Sequence, residues 1–390
     1  MKIKSDYSFI RGVCHNPDPS KSEKQLHREL SCAKRLQINS IRFWILQDEW
    51  EKDSKAYIEL VKSFIHTCFK YNLSVMPIIW NGNFIVDFQE PTEYEWKVKE
   101  EYAKDIIHNF AEEPNLLMWD IINEPMCNDY IRKSPKKERG ERFDNLTAYI
   151  RRLCHIVRNF DEKTPITVGH EQVEHCVSTV DLVDVISFHE YQSTRAGVEN
   201  TYLRAEKLAK QYGNKLLLNT ETGCIGRANP YDIELEFCER YHIGWYLFCL
   251  VSEGFWGDIH GLIYPDGTIR DPAIIAALFG FYRNKTSKRI LPNPNKEGHA
   301  YNAIKAVEDV LRVEETTLFM SKIRTADDVL EAAEYCVNIL EACEFVPMYN
   351  PPSAQIASWR SQPDREKDIF AIKRFAYNMA KLLKECCLIL

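Results

Sequence analysis

The chain has 390 residues, of which 45% are hydrophobic, 12% aromatic and 27% charged, a composition that excludes a disordered, collagenous or low-complexity protein. Lys and Arg number 50 against 57 Asp and Glu, a net charge of −7. With no basic stripe, that balance argues against nucleic acid as a partner.

In chain order, eight β-rich runs alternate with longer amphipathic segments. The runs fall at 8–14, 38–46, 73–80, 115–123, 164–169, 182–188, 215–221 and 242–250. Helical stretches lie between them at 21–36, 56–71, 97–110, 145–160, 202–212 and 232–241. In the second of these, Leu60-Val61, Phe64-Ile65 and Cys68-Phe69 recur at spacings of three and four, as one buried helix face requires. Strands such as Val75-Met76-Pro77-Ile78-Ile79 are almost wholly apolar, so both their faces must be covered. Eight βα units in about 280 residues therefore predict an α/β fold of the (β/α)₈ TIM-barrel kind. A doubly wound sheet is the alternative, but no Gly-rich phosphate turn follows the first run.

After Tyr282 the character changes. Leu291-Pro292-Asn293-Pro294-Asn295 is a breaker run, and helical segments follow at 298–312, 326–343 and 365–390, with an extended stretch at 346–363. The chain thus reads as a barrel over 1–290 and a C-terminal helical extension, packed on it, over 291–390. The apolar end Cys386-Cys387-Leu388-Ile389-Leu390 calls for burial, against the barrel or against a second copy, so a homo-oligomer through these helices is an open expectation. The N-terminus turns polar by Lys2-Ile3-Lys4 before a signal core forms, and no run approaches the roughly 20 apolar residues of a membrane span. Thirteen scattered cysteines without a CxxC pair read as buried reduced thiols in a cytoplasmic protein.

Chemistry in such a barrel sits at the C-terminal strand ends. The fourth run ends in Asn123-Glu124-Pro125 and the seventh in Glu221. Strands four and seven are three apart in a ring of eight, so their ends face one another across the mouth. Two facing carboxylates are what glycoside hydrolysis requires, one protonated to release the leaving oxygen and one ionised to attack.

This ordered set resembles clan A of the glycoside hydrolases, and family 5, the cellulases and mannanases, most of all. The resemblance runs over roughly residues 8–285 and implies the acid/base role for Glu124, the nucleophile role for Glu221 and a hold on the sugar 2-hydroxyl for Asn123. Arg42, in Ile41-Arg42-Phe43-Trp44, resembles the family arginine that hydrogen-bonds the nucleophile. His189 and Tyr191 resemble the family His-x-Tyr pair, and the segment Tyr264 to Pro272 resembles the hairpin before the last barrel helix. Two positions depart from the pattern: Trp80-Asn81 stands where a histidine is common, and Phe248 where a platform tryptophan is common.

The implied function is a retaining β-glycosidase for β-glucosides or β-mannosides of short saccharides, needing no cofactor. Proximity to Glu221 is expected to raise the Glu124 pKa, since like charges disfavour a second ionisation. A sugar-binding barrel without turnover, or a transglycosylase, would use the same residues.

Blander readings attach to several of these positions. His15 closes the first strand, either lining the pocket or serving a loop hydrogen bond. Trp44, Trp80 and Trp256 are stacking candidates, of which one or two should meet ligand. Glu190 lies between His189 and Tyr191 and so should face the other way. No metal site is expected: Glu171 to His175 lacks a third ligand, and HxH and HExxH motifs are missing.

Overall fold

Eight parallel strands close into one barrel in sequential order, each paired to the next and β8 to β1. They are β1 Arg11–Cys14, β2 Ser40–Trp44, β3 Ser74–Asn81, β4 Trp119–Asn123, β5 Ile166–His170, β6 Val185–Glu190, β7 Leu216–Thr222 and β8 Gly244–Leu247. The structure, a computed structural model, describes residues 4–279, 325–343, 345, 346 and 351–387 together with 303, 304, 306, 307 and 311. The chain divides into two compact units, Met1–Ile274 and Ile275–Leu390.

Every expected run overlaps a strand, usually shorter than the run, and β3, β5, β6 and β7 end one or two residues beyond it. β4 begins at Trp119 because Leu116 makes only an isolated bridge to Val75. Several helices start earlier than apolar periodicity alone suggests, because polar caps extend them. Thr92 and Glu95 form a capping box that opens the helix Glu93–Phe110. Thr194 accepts from the Gly197 amide and opens Arg195–Gln211.

The barrel interior is layered. At the lower level the fully buried Tyr246 places its hydroxyl 2.7 Å from Ser40 Oγ, which accepts from Ser74 Oγ at 2.9 Å. Gly12 makes room for that ring, since a Cβ there would stand 2.1 Å from a Tyr246 ring carbon. One level up, Cys14 pairs in register with Arg42, and Ile78 with Asp120. The catalytic candidates sit above this layer, at the mouth.

In the second unit, the helices Ala326–Ala342, Pro352–Arg360 and Ile369–Cys387 share a core that includes Leu330, Val337, Ile356, Trp359, Ile372 and Leu383. The stretch expected to be extended to Pro363 contains the middle helix. Pro352 occupies its first turn, where the missing N–H costs nothing, and Ile356 and Trp359 sit three apart on one buried face. Most of the expected helix 298–312 and the last residues Leu388 to Leu390 lie outside the described residues. Among the described residues no helix is long and apolar enough to cross a membrane. The described cysteines are free thiols, mostly buried.

Gly12→Ala forces the new methyl into the Tyr246 ring and should cost about 1–3 kcal/mol by overpacking. Urea unfolding measures this, and an unchanged midpoint would show that the layer relaxes freely.

Candidate active site

The centre of the site is Arg42, which is completely buried on β2. Its Nε and Nη2 donate to Asp120 Oδ2 at 3.0 and 2.7 Å, and Nη2 also donates to Asn123 Oδ1 at 2.7 Å. Nη1 donates to Glu221 Oε1 at 2.8 Å and lies 3.9 Å from Cys14 Sγ, so every N–H of the guanidinium is used. Burial works against its charge, but Asp120 and Glu221 outweigh burial and raise its pKa. Asp120 is equally buried; burial lifts its pKa, while Arg42 and the Gly169 amide pull the other way. Gly169 carries no side chain for a physical reason: a Cβ would approach Arg42 Nη2 to 2.7 Å and Asp120 Oδ2 to 2.9 Å.

Above this pair stand the two carboxylates and one imidazole. Glu221 accepts from Arg42 and from the Tyr191 hydroxyl at 3.1 Å. His189 Nδ1 lies 2.7 Å from Glu124 Oε1 and 3.5 Å from Glu221 Oε2. Side-chain donor atoms of Glu124, His189 and Glu221 all lie within 4.8 Å of one another. A divalent cation would use these same donors. Asn83 completes the frame, donating to Glu124 Oε2 and accepting from Asn123 Nδ2 at 2.8 Å. Glu124 sits in the left-handed region with φ of 43°, held by its amide bond of 2.7 Å to Gly169 O.

The expected charge state of Glu124 is overturned. Burial would raise its pKa, but hydrogen bonding to His189 and the charge on that ring lower it to about 2. In turn, burial depresses the His189 pKa, but the two carboxylates more than reverse this and raise it. The imidazole stands between the like charges, so attraction replaces the repulsion expected from Glu221.

The carboxylates open into a cavity of about 590 Å³. Trp44, Phe248 and Trp256 contribute rings to it, and His15, Asn81 and Asn83 contribute polar groups. Phe248 meets His260 edge-on at 4.8 Å and Trp44 at 5.8 Å.

A sequence profile for cellulase (glycosyl hydrolase family 5) matches residues 10–254, more than half of the chain. The chain belongs to glycosyl hydrolase family 5. Enzymes of this family act on O-glycosyl bonds. A probable mannan endo-1,4-beta-mannosidase C from Aspergillus terreus is 22% identical over 150 residues, covering 33% of this chain and 37% of that protein. Among solved structures, a broad-specificity endoglucanase from Clostridum cellulovorans has a TM-score of 0.57 at 14% identity, covering 71% of this chain and 95% of that one. An endo-1,4-beta-mannanase from Rhizomucor miehei gives 0.53 at 14% identity, covering 71% and 94%. A beta-glucuronidase 2 from Bacteroides uniformis gives 0.51 at 16% identity, and the chain spans only 34% of its length. At such identities these structures share the barrel and nothing finer.

Within this family 5 site, the fold brings together Glu124, Glu221, Arg42, Asn123, His189 and Tyr191. His15 lines the cavity and also places Nε2 3.0 Å from the buried Glu29. Trp256 lines the cavity and is half exposed. Trp80 does not line it. Strand alternation turns Asn81 inward and Trp80 outward, where its Nε1 donates to Gln47 and its ring packs on Tyr102. Glu190 likewise faces away, accepting from the Gln192 amide, Thr201 and Asn229. Glu171 contacts His175 directly and stands apart from the site.

Sequence reasoning missed Asp120 and Asn83. Asp120 had a readable signal, because a carboxylate within an apolar buried strand demands a cationic partner. Asn83 had none, since its role depends on how the loop after β3 folds.

Arg42→Leu should cost about 3–5 kcal/mol, because it strands Asp120 as an unpaired buried charge. Denaturation of Arg42→Leu, Asp120→Leu and the double variant measures the coupling. Additive losses would mean the pair is not the organising contact.

Proposed function

We propose that the protein is a retaining β-glycosidase acting on β-glucosides or β-mannosides, with Glu221 as nucleophile and Glu124 as acid/base. The observation that carries this reading is the 4.8 Å limit on the spread of the Glu124, His189 and Glu221 donor atoms. Carboxyl groups about 5–5.5 Å apart suit a covalent intermediate, whereas inversion needs about 6.5–9.5 Å to admit a water. The mannan- and glucan-active relatives support the choice of sugars.

In the first step Glu221 bonds to the anomeric carbon as the bond to the leaving oxygen breaks. Arg42 and Tyr191 hold the Glu221 carboxylate in place by hydrogen bonds until then, and its negative charge is consumed in the glycosyl ester. The leaving oxygen takes a proton from Glu124. In the free enzyme that proton rests on His189 Nδ1, one hydrogen bond away. His189 Nε2 is buried without a hydrogen-bond partner among the described residues, which offsets part of what the carboxylates give the imidazolium and eases the proton's return to Glu124 as sugar displaces water. In the second step Glu124 takes a proton from water, which attacks the ester and releases the sugar with its configuration kept. Asn123, already oriented by Arg42 and Asn83, is placed to bond the 2-hydroxyl.

An aryl β-glycoside panel tests this directly. One glycoside should turn over, and Glu124→Gln should lower kcat about 10²–10⁴-fold on substrates with poor leaving groups. NMR should show the β-anomer formed first. An α-anomer, or activity surviving in Glu221→Gln, would end the proposal.

The pH profile tests the proton's resting place. Activity should fall on the alkaline side only above the ordinary histidine value of 6.5, because the raised His189 pKa governs loss of the shared proton. In His189→Asn the proton can rest only on Glu124, so the alkaline limb should move down toward the carboxyl range. An unmoved limb would remove His189 from the acid's titration.

A further inference from the structure

Arg227 follows β7 on the turn Ile225–Arg227 and lines the catalytic cavity. Its guanidinium carbon lies 4.6 Å from the centre of the Tyr191 ring, whose hydroxyl donates to Glu221 Oε2. Among the described residues the guanidinium has neither an ion pair nor a hydrogen bond, so its five N–H groups are open to a ligand. Lys21, the other lysine or arginine of the cavity wall, is already engaged by Glu29 at 2.8 Å and by Glu253 at 2.5 Å. The turn is built to hold Arg227 in place. Asn229 Oδ1 accepts from the Gly223 amide at 2.8 Å, and the Asn229 amide donates to Cys224 O at 3.0 Å. Ala228 takes a left-handed φ of 52° while its amide reaches Ile225 O at 3.0 Å. A Cβ on Gly226 would stand 2.9 Å from Ile259 Cβ, so the turn packs directly on the helix Gly254–His260.

Sugar stereochemistry says what this guanidinium meets. The anomeric carbon has two ring neighbours, C2 and the ring oxygen. Glu221 presents Oε1 to Arg42, which also holds Asn123, and Oε2 to Tyr191. With Asn123 on the 2-hydroxyl, C2 lies over the Oε1 side and the ring oxygen over the Oε2 side. C5 follows the ring oxygen and carries C6, so C6 leads out past Tyr191 toward Arg227. An open guanidinium suits one chemistry at that carbon: an anion, either the carboxylate of a uronic acid or a phosphate on the 6-hydroxyl, each taken by two parallel N–H groups. Three of the four carboxylates on the cavity wall already have a cation: His189 for Glu124, Arg42 for Glu221 and Lys21 for Glu253. The fourth, Asp18, lies on the loop after β1 and accepts from the Ser20 amide and hydroxyl.

We propose that the sugar bound over Glu221 carries an anion at C6, and that Arg227 is the residue that selects it. This rests on the glycosidase reading and narrows its substrate class: the ring keeps its gluco or manno configuration, and the neutral glycoside is the poorer substrate.

The test measures kcat/KM on aryl β-glucosides and β-mannosides in three forms: neutral, C6 carboxylate and 6-phosphate. One charged form should exceed the neutral one by about 10–100-fold at low salt, the worth of hydrogen bonds to a charged group, and added salt should shrink that advantage. Which charged form wins separates a uronide from a phosphorylated substrate. In Arg227→Gln the charged-to-neutral ratio should fall by the same factor, and Arg227→Lys, which keeps the charge without the fork, should recover part of it. A neutral form that is equal or better would overturn the inference. So would an equal loss on all forms in Arg227→Gln, which would leave Arg227 only a support for Tyr191. Either result leaves the glycosidase reading intact. Absence of turnover on every form would overturn that reading instead. Calorimetry with the C6 acids and 6-phosphates of glucose and mannose then decides Arg227: binding weakened in Arg227→Gln supports its role, and binding unaltered or undetectable rejects it.

Discussion

The architecture of the site depends on one buried cation. Taking Arg42 out of water is costly unless every N–H is answered, and here each one is, by Asp120, Asn123, Glu221 and Cys14. Those bonds tie β2 to β4 and β7 across the barrel interior. They orient Asn123 and Glu221. The requirement reaches the backbone, because only glycine at 169 lets the guanidinium and Asp120 approach β5 so closely. A lysine could not replace this arrangement, since an ammonium lacks the planar fork that reaches three elements at once.

Above that floor the chemistry turns on where one proton rests. Two carboxylates so close should push one pKa up, as in many paired-acid sites. His189 stands between them, and its hydrogen bond and charge hold the Glu124 pKa low instead. On the proposed mechanism the acid's proton is held on His189, one hydrogen bond from Glu124.

Specificity belongs to a different level of the structure. The barrel superposes on an endoglucanase, a mannanase and a glucuronidase at 14–16% identity, so the scaffold itself does not choose the sugar. The loops do. The segment after β3 supplies Asn83 to the Glu124 carboxylate and Phe84 to two cavities, while the loop after β8 brings Trp256 to the rim.

Much of this was legible in the sequence for a physical reason. A closed parallel barrel imposes apolar burial on both faces of its strands and function at the strand ends, so Glu124 and Glu221 stood at recognisable positions, and the resemblance to family 5 added Arg42, His189 and Tyr191. The same logic could have recovered Asp120. Alternation also shows why Trp80 could not join Asn81 in the pocket, a point that needed the strand's exact phase. The proton's resting place, the Asn83 bridge, the cavity behind Phe84 and the helix at Pro352–Arg360 were decided only in three dimensions. Each depends on distances between segments remote in sequence or on a loop path, and neither quantity is carried by local periodicity.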